Sequence, residues 1–166
     1  MIAKGFDVNS LDDEGRSVFT DVMYRIHQDT ECYGSNGTSH RYEVVRQLLI
    51  WGANPNGHAP QTAGPLVFAG MGMDIEMIEI LLDAGAQINA TRILRLVPRT
   101  VYDCAEFEYR YAIWNDCLEN ADECFRGDED EWLDGLDRAA IRLDRCRPTH
   151  LRLLRERGAL SYREIF

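Results

Sequence analysis

The chain has 166 residues, 45% of them hydrophobic and 28% charged, with a formal net charge of −10, which is enough for one domain with its own core. Such acidity repels phosphate backbones and anionic lipid, so nucleic acid and membrane surfaces are poor partners, whereas a basic protein surface is attracted. No stretch approaches the ~18 uninterrupted apolar residues of a membrane span, and Met1-Ile2-Ala3-Lys4-Gly5-Phe6-Asp7 has no signal-peptide core.

In chain order, Ala3–Asn9 carries a glycine-ended phrase that returns more fully downstream, and Ser17 starts a helix as a capping residue. Gly34–Ser39 reads as an exposed loop. Val44–Asn56 and Met77–Asn89 are two versions of one phrase, with Gly52 and Gly85 set 33 residues apart. Val45 and Leu48 precede the first glycine as Ile78 and Leu81 precede the second, so each helix presents one apolar stripe. The glycine supplies the left-handed conformation that ends the helix, and Asn54-Pro55-Asn56 and Gln87-Ile88-Asn89 begin turns. Pro65 suits a first helical position, and Thr100 with Asp103 forms a capping box. Leu151–Ala159 repeats the phrase with Arg155 in the place of Leu49 and Leu82, as expected of a terminal unit whose outer face meets water.

A repeat of this length predicts a stack of small helical units that grips a partner. The spacing is broken twice, by extra residues near Gln28–Arg41 and by a long insertion at 112–147. From Asp103 to Asp137 there are 13 acids against Arg110 and Arg126, densest at Asp128-Glu129-Asp130-Glu131, and an arginine-rich stretch follows. Trp132, Leu133, Leu136, Ala140 and Leu143 predict an amphipathic helix over about 129–146, whose acidic start and basic end suit the helix dipole. The acids are therefore either a solvated face or a second contact for a basic partner. The chain opens in what reads as the last turn of an outer helix, so upstream residues or a partner would have to cover that end.

The phrase Gly64-Pro65-Leu66-Val67-Phe68-Ala69, the close Leu81-Leu82-Asp83-Ala84-Gly85-Ala86 and the following Asn89 resemble the ankyrin repeat family. The resemblance covers residues 3–111 and 148–160, and 64–90 match best. It implies an all-α helical solenoid of three to four repeats within a single domain over 1–166, with an inserted helix in the last repeat. It implies binding through hairpin tips and the concave helix face, and it carries no catalytic motif. The tips place Asp12, Asp13 and Glu14 on the first hairpin and His58 and Gln61 on the second. The third, Thr91–Arg99, holds Arg92, Ile93, Leu94 and Arg95, and its aliphatic residues either mark an interface or fold back over a neighbour.

Chemistry finds little purchase. His27, His40, His58 and His150 show no helical metal-pair spacing, and no Cys-x-x-Cys occurs. Cys32, Cys104, Cys117, Cys124 and Cys146 are odd in number and irregular in spacing, which reads as reduced cytoplasmic thiols. Lys4 is the single lysine among 18 basic residues, a hint of a GC-rich bacterial genome. The expectation is a non-enzymatic binder without metal or cofactor. We anticipate an immunity protein that occludes a basic toxin such as a nuclease; the alternative is an adaptor or secreted effector that binds a host protein.

Overall fold

The helices begin and end where short-range chemistry directs them. The computed structural model describes residues 7–29, 39–58, 63–94, 97–114 and 129–166. Within these lie helices α1 (Val18–Asp29), α2 (Ser39–Ile50), α3 (Pro65–Met71), α4 (Ile75–Asp83), α5 (Val101–Trp114), α6 (Glu129–Arg142), α7 (Thr149–Glu156) and α8 (Tyr162–Ile165). One antiparallel hairpin, β1 (Arg92–Leu94) and β2 (Val97–Arg99), pairs Arg92 with Arg99 and Leu94 with Val97. The regular structure is thus almost wholly helical, and α5 runs through Trp114, into the stretch anticipated as insertion.

Caps account for the boundaries. The Thr20 N–H donates to Ser17 Oγ at 3.2 Å ahead of α1, and the Met77 N–H donates to Asp74 Oδ1 at 3.1 Å at the start of α4. At α5 the box is reciprocal: the Thr100 N–H donates to Asp103 Oδ2 at 2.8 Å and the Asp103 N–H to Thr100 Oγ1 at 3.2 Å. Gly52, Gly85 and Gly158 end α2, α4 and α7 with φ of +90°, +91° and +89°, a region a side chain would strain. Each makes the same pair of bonds, the glycine N–H to the carbonyl of Leu49, Leu82 or Arg155 and the next N–H to that of Leu48, Leu81 or Leu154, at 2.9–3.0 Å. This is the two-bond closure that satisfies the last helical carbonyls.

The helices stack as two layers. α1, α3 and α5 lie side by side as a first layer, and α2, α4 and α7 as a second; α1 pairs with α2, α3 with α4 and α5 with α7. Phe19, Met23, Val45, Leu66, Met77, Ile78, Leu81, Tyr102, Leu151 and Leu154 are buried between them. Gly70 lets α3 and α5 approach, since a Cβ there would sit 3.2 Å from both Ala105 Cβ and Val101 Cγ2.

An asparagine ladder ties each unit to the next. Asn9 Nδ2 donates to the Gly52 carbonyl at 2.8 Å, and its Oδ1 accepts the Asn54 N–H at 2.8 Å. Asn89 repeats both bonds on the Gly158 carbonyl (3.0 Å) and the Leu160 N–H (2.8 Å). Between them Asn56 Oδ1 accepts the Gln87 N–H at 2.7 Å. The fourth equivalent position holds Tyr162, where α8 begins instead. Asn89→Ala should therefore cost about 1–2 kcal/mol of stability, two backbone partners losing their bonds at a partly solvated site. Urea unfolding would measure it, with faster amide exchange at Leu160 as the local signature.

Two long-range features differ from the sequence expectation or complete it. α6 joins the stack: Leu133, Leu136 and Ala140 are buried in the common core, Asp134 meets Arg152 at 2.6 Å, Asp137 meets Arg147 at 2.5 Å, and the Arg110 guanidinium lies 5.5 Å from the centre of the Trp132 ring. The arginines after the insertion thus neutralise acids within it. Arg155, expected to face water, is instead largely covered, with its side chain 15% exposed. The chain turns back after Ala159, so that Arg155 Nη1 donates to the Ala159 carbonyl at 2.8 Å and to Glu164 Oε2 at 2.9 Å, while its guanidinium lies 4.0 Å from the Tyr102 ring centre. The Tyr162 N–H then donates to Asp103 Oδ2 at 3.0 Å and pins α8 to the start of α5.

Candidate functional site

The three first-layer helices share a register set by their caps, Ser17, Gly64 and Thr100. Seven residues after each cap stand Tyr24, Met71 and Phe107. Two of these positions face outward, Tyr24 at 44% and Phe107 at 50% exposure, as does Tyr111 one turn on at 60%, while Met71 is half-buried and packs against the core. Phe68 fills the gap from α3, edge-on to Tyr24 with ring centres 5.8 Å apart. An aromatic and thioether stripe therefore crosses the first layer from α1 through α3 to α5. Tyrosine and phenylalanine give large, stiff contact area at low entropic cost, and methionine adapts to irregular partners.

The stripe is edged by charges that are already held. Arg25 Nε donates to Asp21 Oδ2 at 2.8 Å, Arg110 reaches Glu106 at 3.7 Å, and the Arg99 guanidinium lies 5.1 Å from the Phe107 ring centre. Arg99 closes β2, so the third hairpin abuts the stripe where α5 begins. His27 packs its ring 5.7 Å from Phe68, and burial lowers its pKa, which favours the neutral imidazole. The sequence pattern did not single out this stripe, although the seven-residue offset from each cap contains the signal.

The anticipated contact residues divide. Asp12 is occupied within its own hairpin, accepting the N–H groups of Glu14 (2.9 Å) and Arg16 (2.8 Å); the Arg16 bonds hold its carboxyl below the usual range, although desolvation opposes them. Glu14 pairs with Arg16 at 2.6 Å, and Asp13 and His58 are exposed. Arg92 is turned inward: its Nη2 donates to the Asn56 carbonyl, and burial lowers its pKa. It braces two hairpins, since a partly desolvated guanidinium needs a hydrogen-bond acceptor and the Asn56 carbonyl supplies one. Ile93 and Val97 are about half exposed, at 52% and 47%, so the third hairpin keeps apolar surface. Glu131 is exposed, Leu94 lies in β1, and Glu129 and Asp130 open α6. Gln61, Arg95 and Asp128 lie outside the described residues. The hairpin residues and the α6 acids come from separate parts of the chain.

Among the described residues, no group of three or more His, Cys, Asp or Glu side chains is placed to hold a metal ion. Burial pushes the Cys104 thiol up to about 12, so at neutral pH it is a protonated packing group with little nucleophilic character. Among the same residues, no helix is long and apolar enough to cross a membrane. No protein-family model matches the chain, and no curated protein matches it.

Proposed function

We propose that this chain is an ankyrin-type solenoid and a non-enzymatic protein-binding module that holds one protein partner on its first-layer face. The observation that carries the reading is the equivalent placement of Tyr24, Met71 and Phe107 across three neighbouring helices, two of them exposed aromatics. Exposed aromatic rows of this kind supply hot-spot side chains. The repeated glycine closure and the asparagine ladder support the solenoid reading, because both recur unit by unit.

Within that reading, an immunity or inhibitor protein for a basic toxin fits the net charge of −10 best. Its surface steers a cationic partner, and occlusion needs no chemistry from the binder. Co-expression of the tagged chain with the product of the adjacent gene tests this. A tight one-to-one complex that silences a toxic neighbour supports it. In such a complex the pair Tyr24→Ala and Phe107→Ala should weaken binding by roughly a hundredfold, the cost of losing two central aromatic contacts. Lysine at Glu129, Asp130 and Glu131 should mainly slow association and flatten its salt dependence. Unchanged affinity in the aromatic double variant removes the first-layer site.

A further inference from the structure

The second layer carries a different surface. The two residues before each cap glycine are Ile50-Trp51 at the end of α2, Asp83-Ala84 at the end of α4 and Glu156-Arg157 at the end of α7. Two of the three units thus fold with charged or small residues there, so stacking does not require apolar ones. Yet Ile50 is 74% exposed and Trp51 48%. An open groove of about 390 Å³ between α2 and α4 is lined by the apolar Leu49, Ile50 and Ile80. The same lining holds three carboxylates, Glu76, Glu79 and Asp83, against one guanidinium, Arg46.

The carboxylates are loosely held. Arg46 bridges to Glu76 at 3.0 Å with both side chains about half exposed, while Arg157 reaches Glu79 and Asp83 only at 3.8 and 3.4 Å. Pairs this exposed contribute little and can be exchanged for an incoming cation.

We infer that the α2–α4 groove is a second docking surface, whose occupant is a basic amphipathic segment of a protein partner. Its aliphatic side chain sits on Leu49, Ile50 and Ile80, and its lysines or arginines lie along Glu76, Glu79 and Asp83. This face lies on the layer opposite the aromatic stripe, so the inference stands or falls separately from the first-layer reading.

The test uses the full chain labelled with 15N and two short synthetic peptides, one of lysine and leucine and the other of glutamate and leucine. The lysine peptide should shift amide signals along α2 and α4, and the glutamate peptide should not. Ile50→Ser, and separately Glu79→Lys with Asp83→Lys, should each weaken the lysine peptide roughly tenfold. Both changes are on exposed positions, and an unchanged thermal transition shows that folding is intact. Equal binding of both peptides, shifts confined to α6, or affinity unmoved by Ile50→Ser would overturn the inference. Self-association that sedimentation detects and Ile50→Ser abolishes would also overturn it, by making a second copy of the chain the occupant.

Discussion

Lowering the pH from 7 to 4 should remove about 3 kcal/mol of stability through His150 alone. The side chain is buried, 1% exposed, on α7 where it packs against α5, with the Tyr109 ring edge-on at 5.2 Å. Burial brings its pKa down to about 4, and a hydrogen bond with the Ala105 backbone offsets only part of that. The sign follows from proton counts. In the folded chain His150 stays neutral until about pH 4, while the unfolded chain takes up the proton from about pH 6.5. Above that value both states are neutral and protonation of the group leaves stability unchanged. As the pH falls through the window the unfolded state binds the extra proton, and stability is lost with it. His150→Gln, which retains a donor for Ala105, should flatten this dependence by up to one proton between pH 6.5 and 4. His27 is shifted in the same direction by burial, so the difference between parent and variant is the quantity to read. Arg147 holds the Asp137 carboxyl low, and for Glu164 desolvation pushes upward but the bonds from Ser161 and Arg155 outweigh it and hold the carboxyl low. Their contribution is present above the usual carboxyl range and is lost as the pH falls below it. Urea midpoints at several pH values would check the prediction; identical slopes for parent and His150→Gln would refute it.

Leu136→Ala should cost about 2–5 kcal/mol, as a fully buried core leucine does. Leu136 lies in α6, within the segment the repeat spacing marks as foreign to the stack. Its exposure is 0%, and its neighbours Leu133 and Ala140 share the same core. Ile141, on the same helix but 63% exposed, supplies the contrast: Ile141→Ala should change stability by no more than about 0.5 kcal/mol. If α6 were a projecting arm, the two substitutions would cost alike. A single cooperative unfolding transition in both variants would further show that the inserted helix and the stack melt together.

What the amino-acid order determined by itself is what acts within about five residues. The glycine closures, the proline and threonine helix starts and the helical character of 129–142 depend on backbone strain, caps and periodicity, and each is legible without a partner in space. The asparagine after each glycine was legible as a recurring residue, but not as a ladder, because its bonds run to the next unit: Asn9 reaches Gly52, and Asn89 reaches Gly158. Long-range choices belonged to the tertiary structure alone. Arg155 reads as a solvent-facing residue until α8 folds over it, and Arg92 reads as an exposed hairpin charge until the neighbouring hairpin offers the Asn56 carbonyl. Whether the acids of α6 met water or arginine depended on Asp134 and Asp137 reaching Arg152 and Arg147, residues outside their own helix. The aromatic stripe belongs to both levels. Its seven-residue offset is written in the chain, but which helix face is turned outward depends on how the layers pack, since burial is a property of neighbours and not of the residue itself.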